Sequence, residues 1–154
     1  MKIVLATGGF DPIHSGHIEY FNAAKKLGDK LIVGLNSDDW LTRKKGQPFM
    51  SWQERATILV ALKDVDRVIN FDDSDDTAID AIRKTREIFT AHDTIIFANG
   101  GDRNKENVPE MDIRVKYLNV TFVFGVGGET KLNSSSWILS KWEQANNLYE
   151  RNKT

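Results

Sequence analysis

The chain holds three histidines, and two of them, His14 and His17, fall in the stretch GGFDPIHSGH at Gly8–His17. Two imidazoles three residues apart across a loop-to-helix turn can converge on one point, where each donates a hydrogen bond to an anion oxygen. Gly8 and Gly9 let backbone amides approach a ligand with no Cβ in the way, and Gly16 leaves room between the rings. The helix that starts here presents its unpaired N–H groups and the positive end of its dipole to the same point. Phosphate is the group this chemistry fits. Glycines that merely turn the chain beside surface histidines would be the plain alternative, but the pairing and its place after an apolar run favour the anion site. Neither G-x-x-x-x-G-K-[ST] nor G-x-G-x-x-G occurs there, so the P-loop and the dinucleotide fingerprint are absent. H-x-G-H has no third ligand of suitable type nearby in sequence, so no protein-held metal is expected.

Other segments carry compatible chemistry. RKKG at Arg43–Gly46 supplies cations, with Lys44 and Lys45 equally placed to meet a phosphate. Arg55 in SWQER offers a forked guanidinium suited to a triphosphate or an acceptor phosphate, although a helix arginine paired with an acid would look the same. FANGGDR gives close backbone approach at Gly100 and Gly101 and polar edges for a base or ribose at Asn99 and Asp102. NSSS puts Ser134, Ser135 and Ser136 at the start of the last helix, with Asn133 or Ser134 as its cap. The acidic run Asp72–Asp76 reads as capping and dipole complement at a helix start, not as a metal site. Trp40 and Trp52 flank the basic loop as pocket walls or core anchors, and His92 stands alone.

These residues need elements to hold them. Short apolar runs predict strands at Lys2–Ala6, Lys30–Leu35, Arg67–Phe71, Thr94–Ala98 and Val120–Gly125. Between them, helical spacing predicts helices in HIEYFNAAKKLG, in SWQERATILVAL with a capping box of Ser51 and Glu54, and in TAIDAIRKTREIF; a fourth closes the chain. Strand–helix alternation with nearly all-apolar strands implies one Rossmann-like, doubly wound α/β domain spanning residues 1–154. Its five-stranded parallel sheet would have helices on both faces. In such folds ligands bind beyond the carboxyl ends of the strands. The chemistry-bearing segments follow strands: Thr7–His17, Asn36–Gln47, Asn99–Glu110 and Gly125–Asn133.

Composition narrows the partners. The 154 residues are 40% apolar and 28% charged, with a net charge of −1, so nothing favours bulk binding to nucleic acid or an anionic membrane. There is no cysteine, which removes disulfides, thiolate metal sites and thiol nucleophiles and fits a cytoplasmic location. The N-terminal apolar run is too short for a signal peptide, and no segment approaches the roughly 18 apolar residues of a membrane span.

GGFDPIHSGHIEYFNAAKKLGDKLIVGLNSDDW, then RKKGQPFMSWQERATILVALKDVDRVI and, more loosely, the SSS at 134–136, resemble the HxGH nucleotidyltransferase superfamily. The likeness covers most of the chain. It is strongest to cytidylyltransferase-like members, among them glycerol-3-phosphate cytidylyltransferase and the adenylyltransferase domain of ADP-heptose synthases. The resemblance implies transfer of a nucleotidyl group to a phosphorylated acceptor, release of pyrophosphate, and Mg²⁺ carried by the triphosphate. It implies catalytic roles for His14, His17, Lys44 and Arg55. It also implies nucleotide contacts at Thr7, Gly8, Gly9, Phe10, Asp11, Lys45, Asn99, Gly101, Asp102, Lys131, Ser134, Ser135 and Ser136. Cytidylyltransferases carry R-T-E-G-I-S-T-T where this chain has GGETKLNSSS, with Lys131 standing in for the arginine. The leading expectation is CMP transfer from CTP to a small phosphorylated polyol or sugar. The alternatives are ATP-dependent adenylyl transfer to a sugar phosphate or to a phosphopantetheine- or nicotinamide-nucleotide-like acceptor, and a nucleotide-binding module without catalysis. Relatives of this kind form dimers, so a homodimer is expected.

Overall fold

A computed structural model describes residues 1–101, 109–111, 118–128 and 134–153. Five strands, β1 (Lys2–Gly8), β2 (Lys30–Leu35), β3 (Arg67–Ile69), β4 (Thr94–Gly100) and β5 (Val120–Val126), form one sheet in the order β3-β2-β1-β4-β5. Every neighbouring pair is parallel. The chain runs outward from β1 to β3, then returns to the other side of β1 for β4 and β5. The switch point therefore lies between the carboxyl ends of β1 and β4, where a crevice opens.

Alternation along the strands feeds two cores. Val4 and Ala6 of β1 point to one face with Leu31, Val33, Phe21, Ala24 and Leu59. Ile3 and Leu5 point to the other with Ile32, Ile95, Phe97, Ile79 and Ile82. Helices α1 (Ser15–Lys25) and α3 (Trp52–Val60) cover the first face and α4 (Ile79–Ile88) the second. The doubly wound arrangement is thus fixed by period-two burial in β1, β2 and β4.

Three local features differ from the sequence expectation. The segment after β2, expected as a loop, contains α2 (Asp38–Lys45). Ser37 caps it by accepting from the Trp40 N–H, acids occupy its first turn, bases its last, and Gly46 closes it with φ +93°, so every terminal signal is present in eight residues. The acidic run does not cap α4, whose N-cap Ala78 has no side-chain bond of its own. Instead Asp73 is buried and accepts from Asn36 Nδ2, Ser37 N and Ser37 Oγ at 2.7–3.0 Å, tying the run to the start of α2. Last, β1 and β4 run longer than their apolar cores, which places Thr7 and Gly8, and Asn99 and Gly100, at strand ends.

The last helix, α5 (Ser135–Asn152), has no buried residue. Among the described residues no helix is long and apolar enough to cross a membrane.

Candidate active site

The crevice at the switch point is a cleft of about 660 Å³. Its floor is the end of β1 and the turn into α1: Thr7, Gly8, Gly9, Phe10, Asp11, His14, Gly16 and His17 all line it. Lys44 and Lys45 come from α2, Asn99 and Gly101 from the end of β4, and Ser134, Ser135 and Ser136 from the start of α5. The sequence-predicted residues are brought together, apart from Arg55, which lies beneath the cleft. Asp102 and Lys131, with the alternative cap Asn133, lie outside the described residues.

The two histidines build their own support. His14 is the N-cap of α1 and its Nδ1 accepts from the Gly16 N–H at 3.1 Å. The His14 N–H in turn donates to His17 Nδ1 at 3.2 Å. This is a capping box made of imidazoles. Because each Nδ1 is an acceptor, each neutral ring carries its proton on Nε2. The rings stack with centroids 3.8 Å apart, and Phe10 meets His17 edge-on at 5.0 Å. Gly16 is required by the first of these contacts, since a Cβ there would stand 2.9 Å from His14 Cε1. Burial, and then the neighbouring His14, lower the His17 pKa from 6.5 to about 3, so His17 is a neutral donor at neutral pH.

The lysines are held differently. Lys45 Nζ lies 3.5 Å from the Asp11 carboxylate and donates to the Asp11 carbonyl. Asp11 is buried, and its two carboxylate oxygens accept from the Phe49 and Met50 N–H groups at 2.6 and 2.8 Å. It therefore fastens both Lys45 and the segment after α2 to the histidine turn. Lys44 Nζ sits 4.6 Å from the centroid of the Trp40 ring, and both residues line the cleft. Trp52 takes the other use open to it: its indole N–H donates to Leu35 O at 3.1 Å and its ring packs on the core.

Arg55 was expected at phosphate. Its side chain is instead fully buried, donating to Met50 O, Gly9 O and Asn36 O at 2.8–3.0 Å and pairing with Asp38 at 2.7 Å. Four of the five guanidinium N–H groups are spent on the protein. The guanidinium ties the glycine turn, the end of β2 and the start of α3 into one unit. Residue type alone could not separate this from a phosphate contact, because both need a forked donor.

The far walls of the cleft differ. On the β5 side stand Gly100, Gly101, Gly127, Gly128 and Tyr20, whose hydroxyl donates to Ala98 O. Asn99 Nδ2 donates to Phe97 O and Val123 O at 3.3 Å, which turns its buried Oδ1 away as an unpartnered acceptor. On the β3 side stand Trp40, Asp76, Thr77 and Glu110. Glu110, buried in the cleft wall, accepts from the Ala78 N–H at 3.1 Å and so supplies the cap that α4 lacks. The sequence reading did not single out Tyr20, Thr77 and Glu110, and the folded arrangement brings them to the cleft. Ser134 caps α5 through the Trp137 N–H, and Ser135 Oγ donates to Pro12 O at 2.8 Å, which pins the serines to the histidine turn.

Among the described residues no group of three or more His, Asp or Glu is placed to hold a metal. Asp11, buried beside the histidine turn, is already committed to two amides and Lys45. A divalent ion would fit here as a passenger on triphosphate oxygens.

Comparison with known proteins bears on the fold and the family. The chain is 38% identical to the "Bifunctional protein HldE" from Syntrophotalea carbinolica over 145 residues, 92% of this chain and 28% of that one. To its counterpart from Pelobacter propionicus it is 36% identical, with the same coverage. The chain thus spans under a third of the length of these relatives. Among solved structures, a lipopolysaccharide core biosynthesis protein from Thermoplasma volcanium GSS1 superposes with a TM-score of 0.63 at 28% identity, covering 86% of this chain and 99% of that one. A protein with unknown function from Archaeoglobus fulgidus shares the fold at 14% identity and a TM-score of 0.52. The cytidylyltransferase-like family model matches residues 5–145, and the chain belongs to that family of nucleotidyltransferases.

Proposed function

We propose that the protein transfers the AMP group of ATP to a sugar phosphate and releases pyrophosphate. The observation that carries the reaction type is the imidazole capping box, which aims two Nε2–H donors from the floor of a cleft that also receives Lys44, Lys45 and the α5 serines. An acceptor phosphate oxygen attacks the α-phosphorus, a new P–O bond forms, and the α–β bridging bond breaks with its electrons leaving on pyrophosphate. The chemistry needs alignment and charge stabilisation rather than a covalent catalyst. His14 and His17 donate to phosphate oxygens, the lysines balance the charge, and Asp11 and Arg55 position them. Mg²⁺ bound to the triphosphate supplies further charge neutralisation.

The ATP reading is favoured over CTP by the likeness to heptose-type adenylyltransferase domains over nearly the whole chain. The sugar reading is supported by the likeness to the Thermoplasma volcanium lipopolysaccharide core biosynthesis protein and by the β3-side wall, where an aromatic face and two carboxylates suit a hydroxyl-rich acceptor. Transfer from CTP to a polyol phosphate is the second reading, supported by the match to the cytidylyltransferase-like model. A panel of ATP and CTP against sugar 1-phosphates and glycerol 3-phosphate, read by product chromatography, tests the choice. An ADP-sugar product is expected. A CDP-polyol product would reverse the donor, and nucleotide binding with no product would favour a non-catalytic module.

A further inference from the structure

Asn99 carries a polar atom with nothing to bind. The residue is 2% exposed, and its Oδ1 is buried without a hydrogen-bond partner. Turning the amide round would not cure this. Nδ2 donates to the Phe97 and Val123 carbonyls, and an oxygen in its place would face two acceptors. A buried acceptor left without a donor is costly and uncommon, and one in the wall of a cleft points to a ligand that brings the donor.

The face on which Asn99 lies says which part of a ligand that is. Ile95 and Phe97 of β4 pack in the core under α4, and Ala98 packs in the other core. A Cβ at Gly100 would meet the Tyr20 ring at 3.2 Å on the α1 side. Asn99, between Ala98 and Gly100, turns to the α4 side. Thr77, Ala78 and Glu110 bring the start of α4 to the cleft there. Glu110 is buried and accepts the Ala78 N–H through Oε1, and a carboxylate can accept more than one bond. Asp76 also lines the cleft; both Arg43 bonds go to its Oδ1, so Oδ2 is not spent on the arginine. Three segments distant in sequence thus supply acceptors, two of them negative. The lysines that line the cleft, Lys44 and Lys45, both come from α2 and suit the phosphate of an acceptor. On the β5 side, by contrast, Gly101 and Gly128 have nothing within 4 Å of where a Cβ would stand, a shelf that suits a flat base. We infer that Asn99, Glu110 and Asp76 select the acceptor: they bind hydroxyls at the uncharged end of a monophosphorylated sugar and turn away acceptors with a second anionic group. This deepens the proposed reaction and rests on it for the identity of the acceptor, and it moves Asn99 from the nucleotide to the acceptor.

Calorimetric titration of glucose, galactose and mannose 1-phosphates tests this without turnover. The whole chain is first saturated with α,β-methylene-ATP, which cannot release pyrophosphate, or with its CTP counterpart if the ATP analogue does not bind. At least one monophosphate is expected to bind, and the 1,6-bisphosphate of the same sugar about tenfold or more weakly. Asn99→Leu should weaken the monophosphate about tenfold and leave the affinity for the nucleotide analogue within about twofold. Asp76→Asn/Glu110→Gln, which keeps an oxygen for the Ala78 N–H, should bring the bisphosphate within about threefold of the monophosphate. Circular dichroism checks folding. Monodeoxy 1-phosphates on the wild type replace any variant that fails to fold, and removal of at least one hydroxyl should cost about tenfold. No binding by any of the three sugars would overturn the inference, as would variants and deoxy analogues that behave like the parent pair. Loss of the nucleotide analogue instead of the sugar phosphate in Asn99→Leu would overturn it equally. Binding as expected with no transfer from ATP or CTP, read by product chromatography, would remove the proposed reaction and leave selection by these residues standing.

Discussion

The backbone N–H of His14 donates to Nδ1 of His17 at 3.2 Å while the two rings stack at 3.8 Å. A turn that would ordinarily be capped by hydroxyl and carboxylate groups is capped here by two histidines that line the cleft. One set of bonds therefore sets the helix start, the ring positions and the tautomers. Nitrogen-detected NMR of the imidazoles is expected to show both Nδ1 atoms as acceptors and both Nε2 atoms protonated at neutral pH. Gly16→Ala, which drives a Cβ against His14 Cε1, should disturb the His14 signals first and lower turnover about tenfold or more. A variant with unchanged ring signals and rate would show that the glycine is not needed for this arrangement.

Burial of His17 has a consequence for acid stability. The folded value is about 3 and the ordinary one 6.5, so between these pH values the unfolded chain takes up a proton that the folded chain does not. Stability held by neutral His17 is fully present above pH 6.5 and is lost as pH falls toward 3, by on the order of 5 kcal/mol across the whole window. Urea unfolding at pH 7 and 4.5 should show a larger loss for wild type than for His17→Gln. Equal losses in the two proteins would mean that His17 titrates normally.

Arg55 is expected to act on the fold before it acts on the rate. Arg55→Ala leaves three backbone carbonyls and Asp38 without their donor, a change of about 3–5 kcal/mol for a buried charge network. Arg55→Lys cannot reproduce the fork and should lose most of the same stability. Thermal melts read this directly. A folded, wild-type-stable Arg55→Ala protein with selectively lost turnover would restore a direct phosphate role.

The two lysines should separate by the same pair of measurements. Lys45 is bound to Asp11, so Lys45→Ala should lower both melting temperature and turnover, and Asp11→Asn should do likewise by loosening the segment at Phe49–Met50. Lys44, exposed above the Trp40 ring, should lose turnover on replacement by Ala with little change in melting. The opposite pattern would exchange their roles.

What the sequence made legible was what local chemistry determines. Apolar strands alternating with capped helices suffice for the sheet, and glycines and histidines at one turn suffice to mark the floor of the cleft. Helix α2 escaped because eight mostly polar residues show no apolar stripe, although its Ser37 cap, acidic start, basic end and Gly46 are all written in the chain. Arg55 and Asp11 were placed on the ligand by the resemblance; their burial depends on distant segments meeting, which no local pattern records. Trp40 was legible as a wall residue of the β3 side, but Glu110 was not, since it meets Ala78 at the cleft from a segment 32 residues away.

Pyrophosphate release from ATP in the presence of a sugar phosphate, compared between wild type and folded His17→Ala, tests the role of the histidine pair most directly. Loss of one preorganised donor to a reacting phosphate should slow turnover by about 10²–10³. His17→Ala with an intact melt and a wild-type rate would contradict the account, since the imidazole cap would then be a structural turn and nothing more.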